Sequence, residues 1–159
     1  MVEVTVRTVH GRFLLRPSRA VNDLVVGVIG RAQKKYGMKI HALAVLSNHL
    51  QGLLTPDSPQ QLAAFMNYVC GNLAREIGRL HDWREKFWAR TYRAIVVSDE
   101  PDTQSERLAY ILSQGVKEGL VERPQALARR ALRRSPARRH RPRGHLGRPH
   151  RPLRGAAQG

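Results

Sequence analysis

Two short β-prone runs, Ile40–Leu46 and His49–Leu54, are separated only by Ser47-Asn48. A polar two-residue connection leaves these runs an antiparallel hairpin, because a parallel pair needs a crossover of roughly a dozen residues or more. The hairpin is bracketed by two amphipathic segments, and these constrain most of the remaining chain. Upstream, Pro17 and the N-cap Ser18 precede Val21, Leu24, Val25, Val28, Ile29 and Ala32, the apolar face of a helix that stops at Gly37. Downstream, Ser58-Pro59-Gln60-Gln61 reads as an N-cap, a proline at the first helical position and a capping-box glutamine. Leu62, Phe65, Met66, Val69, Leu73 and Ile77 then carry a second helix to about Leu80.

The outer segments complete the pattern. Val2, Val4 and Val6 alternate with Glu3, Thr5 and Arg7, so a strand with one buried face is expected near residues 2–8. Another strand is expected over Tyr92–Val97. Ser98-Asp99-Glu100-Pro101 supplies caps and first-turn acids for a third helix carrying Leu108, Ile111 and Leu112 and ending near Gly115. The order strand-helix-strand-strand-helix-strand predicts an α+β fold, the ferredoxin-like split βαβ with an antiparallel sheet, plus an additional C-terminal helix carrying Tyr110.

Charge narrows the partners. The chain has 28 Lys and Arg against 12 Asp and Glu, a formal charge of +16, which favours a polyanion such as nucleic acid. Residues 1–123 hold 17 basic and 12 acidic side chains, whereas residues 124–159 hold eleven Arg, no Lys and no acid. The expected division is therefore one folded domain over 1–123 and an Arg/Pro-rich tail over 124–159, too poor in aliphatic residues to offset its conformational entropy. Arginine without lysine favours reading the tail as out-of-frame sequence; a nucleic-acid arm and a linker are the alternatives. The single cysteine, Cys70, excludes an internal disulfide and fits a buried, inert thiol. No stretch reaches the roughly 18–20 apolar residues that a membrane span needs, so no membrane partner and a cytoplasmic, nucleoid-associated protein are expected.

Chemistry-bearing residues occur in two pairs. Residues two apart on a strand share a face, so His49 and Gln51 present an imidazole nitrogen and an amide oxygen side by side. Residues four apart on a helix stack, so Tyr110 and Gln114 lie together beside the apolar stripe. Bringing that helix over that strand would gather one nucleophile and three neutral ligands for a divalent cation, suited to phosphoryl transfer. A tyrosine phenol ionises near ~10, so a nearby cation is needed to favour the phenolate. Trp83, Phe87, Trp88 and Tyr92 interleave with Arg84, Lys86, Arg90 and Arg93, a pattern that suits base stacking with phosphate neutralisation and equally suits anchoring of the sheet. Arg31, Lys34, Lys35 and Lys39 form either a DNA-facing edge or a solvated helix end.

SNHLQGLL at 47–54 resembles the His-hydrophobic-His strand of HUH nucleases, and YILSQGVKEGLVERP at 110–124 resembles the tyrosine helix of REP-associated tyrosine transposases, single-tyrosine HUH enzymes. FWARTY at 87–92 also fits that family, and the resemblance covers approximately residues 2–124. It implies a transposase that binds hairpin DNA and cleaves single-stranded DNA, leaving a 5′-phosphotyrosine on Tyr110 and a free 3′-hydroxyl. His49, Gln51 and Gln114 would hold Mg²⁺ or Mn²⁺, and the chain would act as a monomer or homodimer; from the basic and aromatic pattern itself, Arg84, Lys86, Trp88, Arg90, Arg93 and Lys117 are the candidate DNA contacts. Gln51 departs from the pattern, standing where the family usually has its second histidine. Taken singly, a histidine beside a hairpin or a tyrosine in a helix is more often structural than reactive. A hairpin-binding protein without efficient chemistry is therefore the alternative function. An RNA-recognition domain fits less well, because strands 2–8 and 40–46 carry no Phe, Tyr or Trp and offer no stacking platform.

Overall fold

A computed structural model describes residues 1–117. Its elements are β1 (Val2–Arg7), α1 (Arg19–Tyr36), β2 (Lys39–Leu46), β3 (His49–Thr55), α2 (Pro59–Leu80), β4 (Arg93–Val96) and α3 (Pro101–Lys117), with a 3-10 turn at Val9–Gly11 after β1. The four strands form one sheet in the order β2-β3-β1-β4, every neighbouring pair antiparallel. This is the expected α+β, split βαβ arrangement with an additional helix.

The serine caps form as the sequence predicts. The Ser18 hydroxyl accepts from the Val21 amide at 3.1 Å, and the Ser58 hydroxyl accepts from the Gln61 amide at the same distance. Gly37 ends α1 with a left-handed φ of 66°, a conformation glycine adopts without a Cβ penalty. Gln61 differs from the simple capping box. Its Oε1 accepts from the Asp57 amide at 2.6 Å, one residue before the cap, while its Nε2 donates to the Tyr36 carbonyl at 2.8 Å and ties α2 to the end of α1. The third helix also runs past the predicted stop at Gly115 to Lys117.

The two faces of the sheet are covered unequally. Val4, Val6, Leu50 and Leu54 point to one side and pack against Val21, Val25, Val28, Ile29 and Ala32 of α1 and Leu62, Phe65, Met66, Val69, Leu73 and Ile77 of α2. The alternate residues Ala42, Ala44 and Leu53 point to the other side, where they meet Leu108 and Ile111 of α3 and Val97 in a smaller cluster. Alternation therefore sends Glu3, Thr5 and Arg7 of β1 and His49 and Gln51 of β3 toward the face that α3 only partly covers. No described helix is long and apolar enough to cross a membrane. The division at residue 123, and the tail from 124, lie outside the described residues.

Candidate active site

The hairpin turn that introduces His49 is fixed from both sides of the sheet edge. Thr8 donates its backbone amide to the Asn48 carbonyl at 2.9 Å, and Leu15 donates to the Ser47 carbonyl at 2.9 Å. On β3, Gln51 pairs with Thr5 of β1 and with Ala44 of β2, which places it in the middle of the sheet. His49 and Gln51 are both buried, as is Gln114 on α3.

Helix geometry separates the residues of α3. Successive side chains turn by about 100°, so with Ile111 aimed at the sheet, Arg107 and Gln114 flank it closely on one side while Tyr110 and Leu112 fall on opposite shoulders. Ile111 is fully buried, Gln114 is 7% exposed, and Tyr110 and Leu112 are 42% and 45% exposed. Leu112 is therefore not part of the packed stripe in which the sequence pattern puts it; among the described residues of α3, Leu108 and Ile111 make the apolar contact. Tyr110 stands on the Gln114 side.

All four residues line one cavity of about 840 Å³ between the sheet and α3. Glu3, Thr5, Arg7, Arg90, Thr91 and Arg93 complete most of its wall. Strand and helix, some sixty residues apart in sequence, thus bring His49, Gln51, Tyr110 and Gln114 to the same opening.

The donor set suits a hard divalent cation in chemistry and in tautomer. His49 Nδ1 lies 2.8 Å from Asn48 Oδ1; with that oxygen accepting, Nδ1 carries a proton and Nε2 is the ring nitrogen that would ligate a cation. Ligating histidines are commonly oriented in this way through their second nitrogen. Among the described residues no group of three His, Cys, Asp or Glu comes together, so amide oxygens of Gln51 and Gln114 would have to complete the ligand set. Two amides and an imidazole are neutral and weak, a set suited to a cation that also takes oxygens from substrate phosphate.

Two side chains of the wall, Glu3 and Arg7, carry features that the sequence pattern does not single out. Glu3 is buried, accepts from Gln51 Nε2 at 2.7 Å, and lies 3.5 Å from Arg107 Nη1. Arg7 adds a cation beside Arg90 and Arg93. The alternation of β1 with Val2, Val4 and Val6 inward was the available signal, since it sends Glu3 and Arg7 to the opposite face together.

The residues expected to touch DNA divide between different places. Arg90 and Arg93 line the cavity. Arg84 is exposed and ion-paired to Asp82 at 3.3 Å, and Lys86 is exposed on the far side of the 89–91 segment. Trp88 is a sheet anchor in its contacts: its indole donates to the Cys70 carbonyl at 2.8 Å and its ring meets Phe87 edge-on at 4.8 Å. The Lys117 side chain lies outside the described residues. Of the basic run near the end of α1, Lys35 sits over the Tyr36 and Tyr68 rings and Lys39 pairs with Asp57 at 3.5 Å, on elements that do not line the cavity.

Comparison with known proteins agrees with this architecture. A REP-associated tyrosine transposase solved bound to a REP hairpin superposes with a TM-score of 0.63 at 16% identity, covering 79% of this chain and 72% of that one. A protein assigned as a transposase from Deinococcus radiodurans gives a TM-score of 0.49 at 21% identity, over 71% of this chain and 88% of that one. No curated protein matches the sequence. The family model described as IS200-like transposase matches residues 9–114, a span that contains His49, Gln51, Tyr110 and Gln114, and the chain belongs to that family.

Proposed function

We propose that the protein cleaves and rejoins single-stranded DNA through a covalent tyrosine intermediate, with Tyr110 as nucleophile and a divalent cation, Mg²⁺ or Mn²⁺, held by His49, Gln51 and Gln114. The observation that carries this reading is the convergence of these four side chains on one cavity rimmed by Arg7, Arg90 and Arg93. Arginines around an opening of this size suit backbone phosphates, which they neutralise and orient. Tyr110 is exposed enough to reach a phosphodiester laid across the rim. Its phenol oxygen attacks phosphorus, a tyrosine–phosphate bond forms, and the bond from phosphorus to the 3′ oxygen breaks. The phenol proton passes to water, and the departing 3′ oxygen takes one up to become a hydroxyl. Attack by a 3′-hydroxyl on the phosphotyrosine reverses the sequence and joins strands. A bound divalent cation supplies Lewis-acid stabilisation of the charge that builds on the phosphate oxygens.

Hairpin-forming DNA is the proposed partner, on the analogy of the structural neighbour bound to a REP hairpin. Gln51, an amide where the family usually has histidine, favours a second reading, a hairpin-binding protein whose chemistry is weak or lost.

The test is incubation of the purified chain with labelled hairpin DNA from its genomic flanks, in Mg²⁺, Mn²⁺ or chelator, followed by denaturing electrophoresis. A metal-dependent covalent adduct, absent in Tyr110→Phe and His49→Ala, is the expected result. Hairpin binding with no adduct in either metal would establish the second reading instead.

A further inference from the structure

Glu3 is 8% exposed on the cavity side of β1, and a carboxylate held that deep is costly unless both oxygens have partners. Its partners come from two different elements. Gln51 Nε2 of β3 donates to Oε1 at 2.7 Å, and Arg107 Nη1 of α3 lies 3.5 Å from Oε2. In the sheet register Glu3 stands opposite Leu53 and Thr5 opposite Gln51, so Glu3 reaches Gln51 along the diagonal.

The chemistry of the pair decides which way the amide lies. A carboxylate only accepts hydrogen bonds, so the end of Gln51 facing Glu3 is its nitrogen, and the amide oxygen lies on the other side of the same planar group. An unrestrained glutamine presents either end, and only the oxygen can ligate a cation. Arg107 shares the sheet-facing side of α3 with Gln114, so the carboxylate that fixes the amide is also tied to the helix that brings the nucleophile.

We infer that Glu3 is a positioning residue for the proposed cation site: it holds the Gln51 amide with its oxygen toward the metal and, through Arg107, ties that orientation to the placement of Tyr110 and Gln114. The inference rests on the metal-dependent reading above. It also gives a physical reason for glutamine serving in place of histidine at 51, since a restrained amide loses little freedom when it ligates.

The test is the Mn²⁺ affinity of the full chain with hairpin DNA bound, read from the electron paramagnetic resonance of free Mn²⁺, with thermal unfolding followed in parallel. Glu3→Ala is expected to weaken Mn²⁺ binding about 10–100-fold, the usual loss when a partner of a metal ligand is removed. Glu3→Gln, whose amide oxygen still accepts from Gln51, is expected to keep most of the affinity. Unchanged affinity in Glu3→Ala overturns the inference, and so does an equal loss in both variants, which would make the negative charge itself the requirement. No Mn²⁺ binding by the unaltered chain overturns the metal-dependent reading and the inference with it. If Glu3→Ala unfolds, Glu3→Met, which fills nearly the same volume without an acceptor, takes its place: an about 10–100-fold loss of Mn²⁺ affinity supports the inference and unchanged affinity overturns it.

Discussion

At the residue scale, Tyr110 and Gln114 are one helical turn apart, yet one is solvent-facing and the other buried. That difference separates chemistry from packing at this position. Tyr110→Phe should abolish the adduct while changing unfolding free energy by no more than about 0.5 kcal/mol, as exposed substitutions usually do, and denaturant unfolding checks the second half. At position 51 an imidazole is a better ligand than an amide, and Glu3 is placed to accept from its other nitrogen. Gln51→His should therefore tighten Mn²⁺ binding on the order of tenfold, by the same titration. Cys70 is a separate matter: burial pushes its thiol up from 9.0 to about 11. Unfolding frees it to ionise at its ordinary value, so its contribution to stability is full below pH 9 and is lost as pH rises toward 11. At pH 8 alkylation of Cys70 should be slow in the folded chain and fast in denaturant, measured by mass spectrometry.

At the element scale, the described residues of α3 make a smaller apolar contact with the sheet than α1 and α2 do. They meet the sheet through Leu108 and Ile111 on Ala42, Ala44 and Leu53, whereas α1 and α2 share the large opposite core. Ile111→Ala removes a fully buried side chain and should cost about 2–5 kcal/mol locally. Amide exchange should speed up in α3 while β1, β3, α1 and α2 stay protected; uniform acceleration over all elements would show that α3 does not open separately. Leu73→Ala, in the larger core, should instead lower global stability by a similar amount. The helices were legible because their signals are local: Ser18, Gly37 and Ser58 act on neighbours within four residues. Leu112 falls outside the contact because periodicity marks an apolar stripe without saying how wide a face its partner covers.

At the scale of the whole molecule, electrostatics and recognition should separate. Eleven of the arginines lie in residues 124–159, while Arg7, Arg90 and Arg93 rim the cavity. Replacing those eleven by glutamine should weaken DNA binding and flatten its dependence on salt, because fewer counterions are released. Preference for hairpin over scrambled single strand should survive, since phosphate contacts carry no sequence information. Binding measured across a salt series with both DNAs checks this, and loss of the preference would assign recognition to the tail.

The sequence by itself determined the element order, the hairpin at Ser47-Asn48, the helix caps, and the pairing of His49 with Gln51 and of Tyr110 with Gln114. Each of these follows from a period of two or 3.6, or from contacts a few residues long. Only the tertiary structure decided that α3 lies on the sheet face opposite α1 and α2, that both pairs open onto one cavity, and that Glu3 joins Gln51 to Arg107. Those relations join residues some 48 to 104 positions apart, across strands and layers whose relative placement is set by which apolar faces bury each other, and no local spacing encodes that.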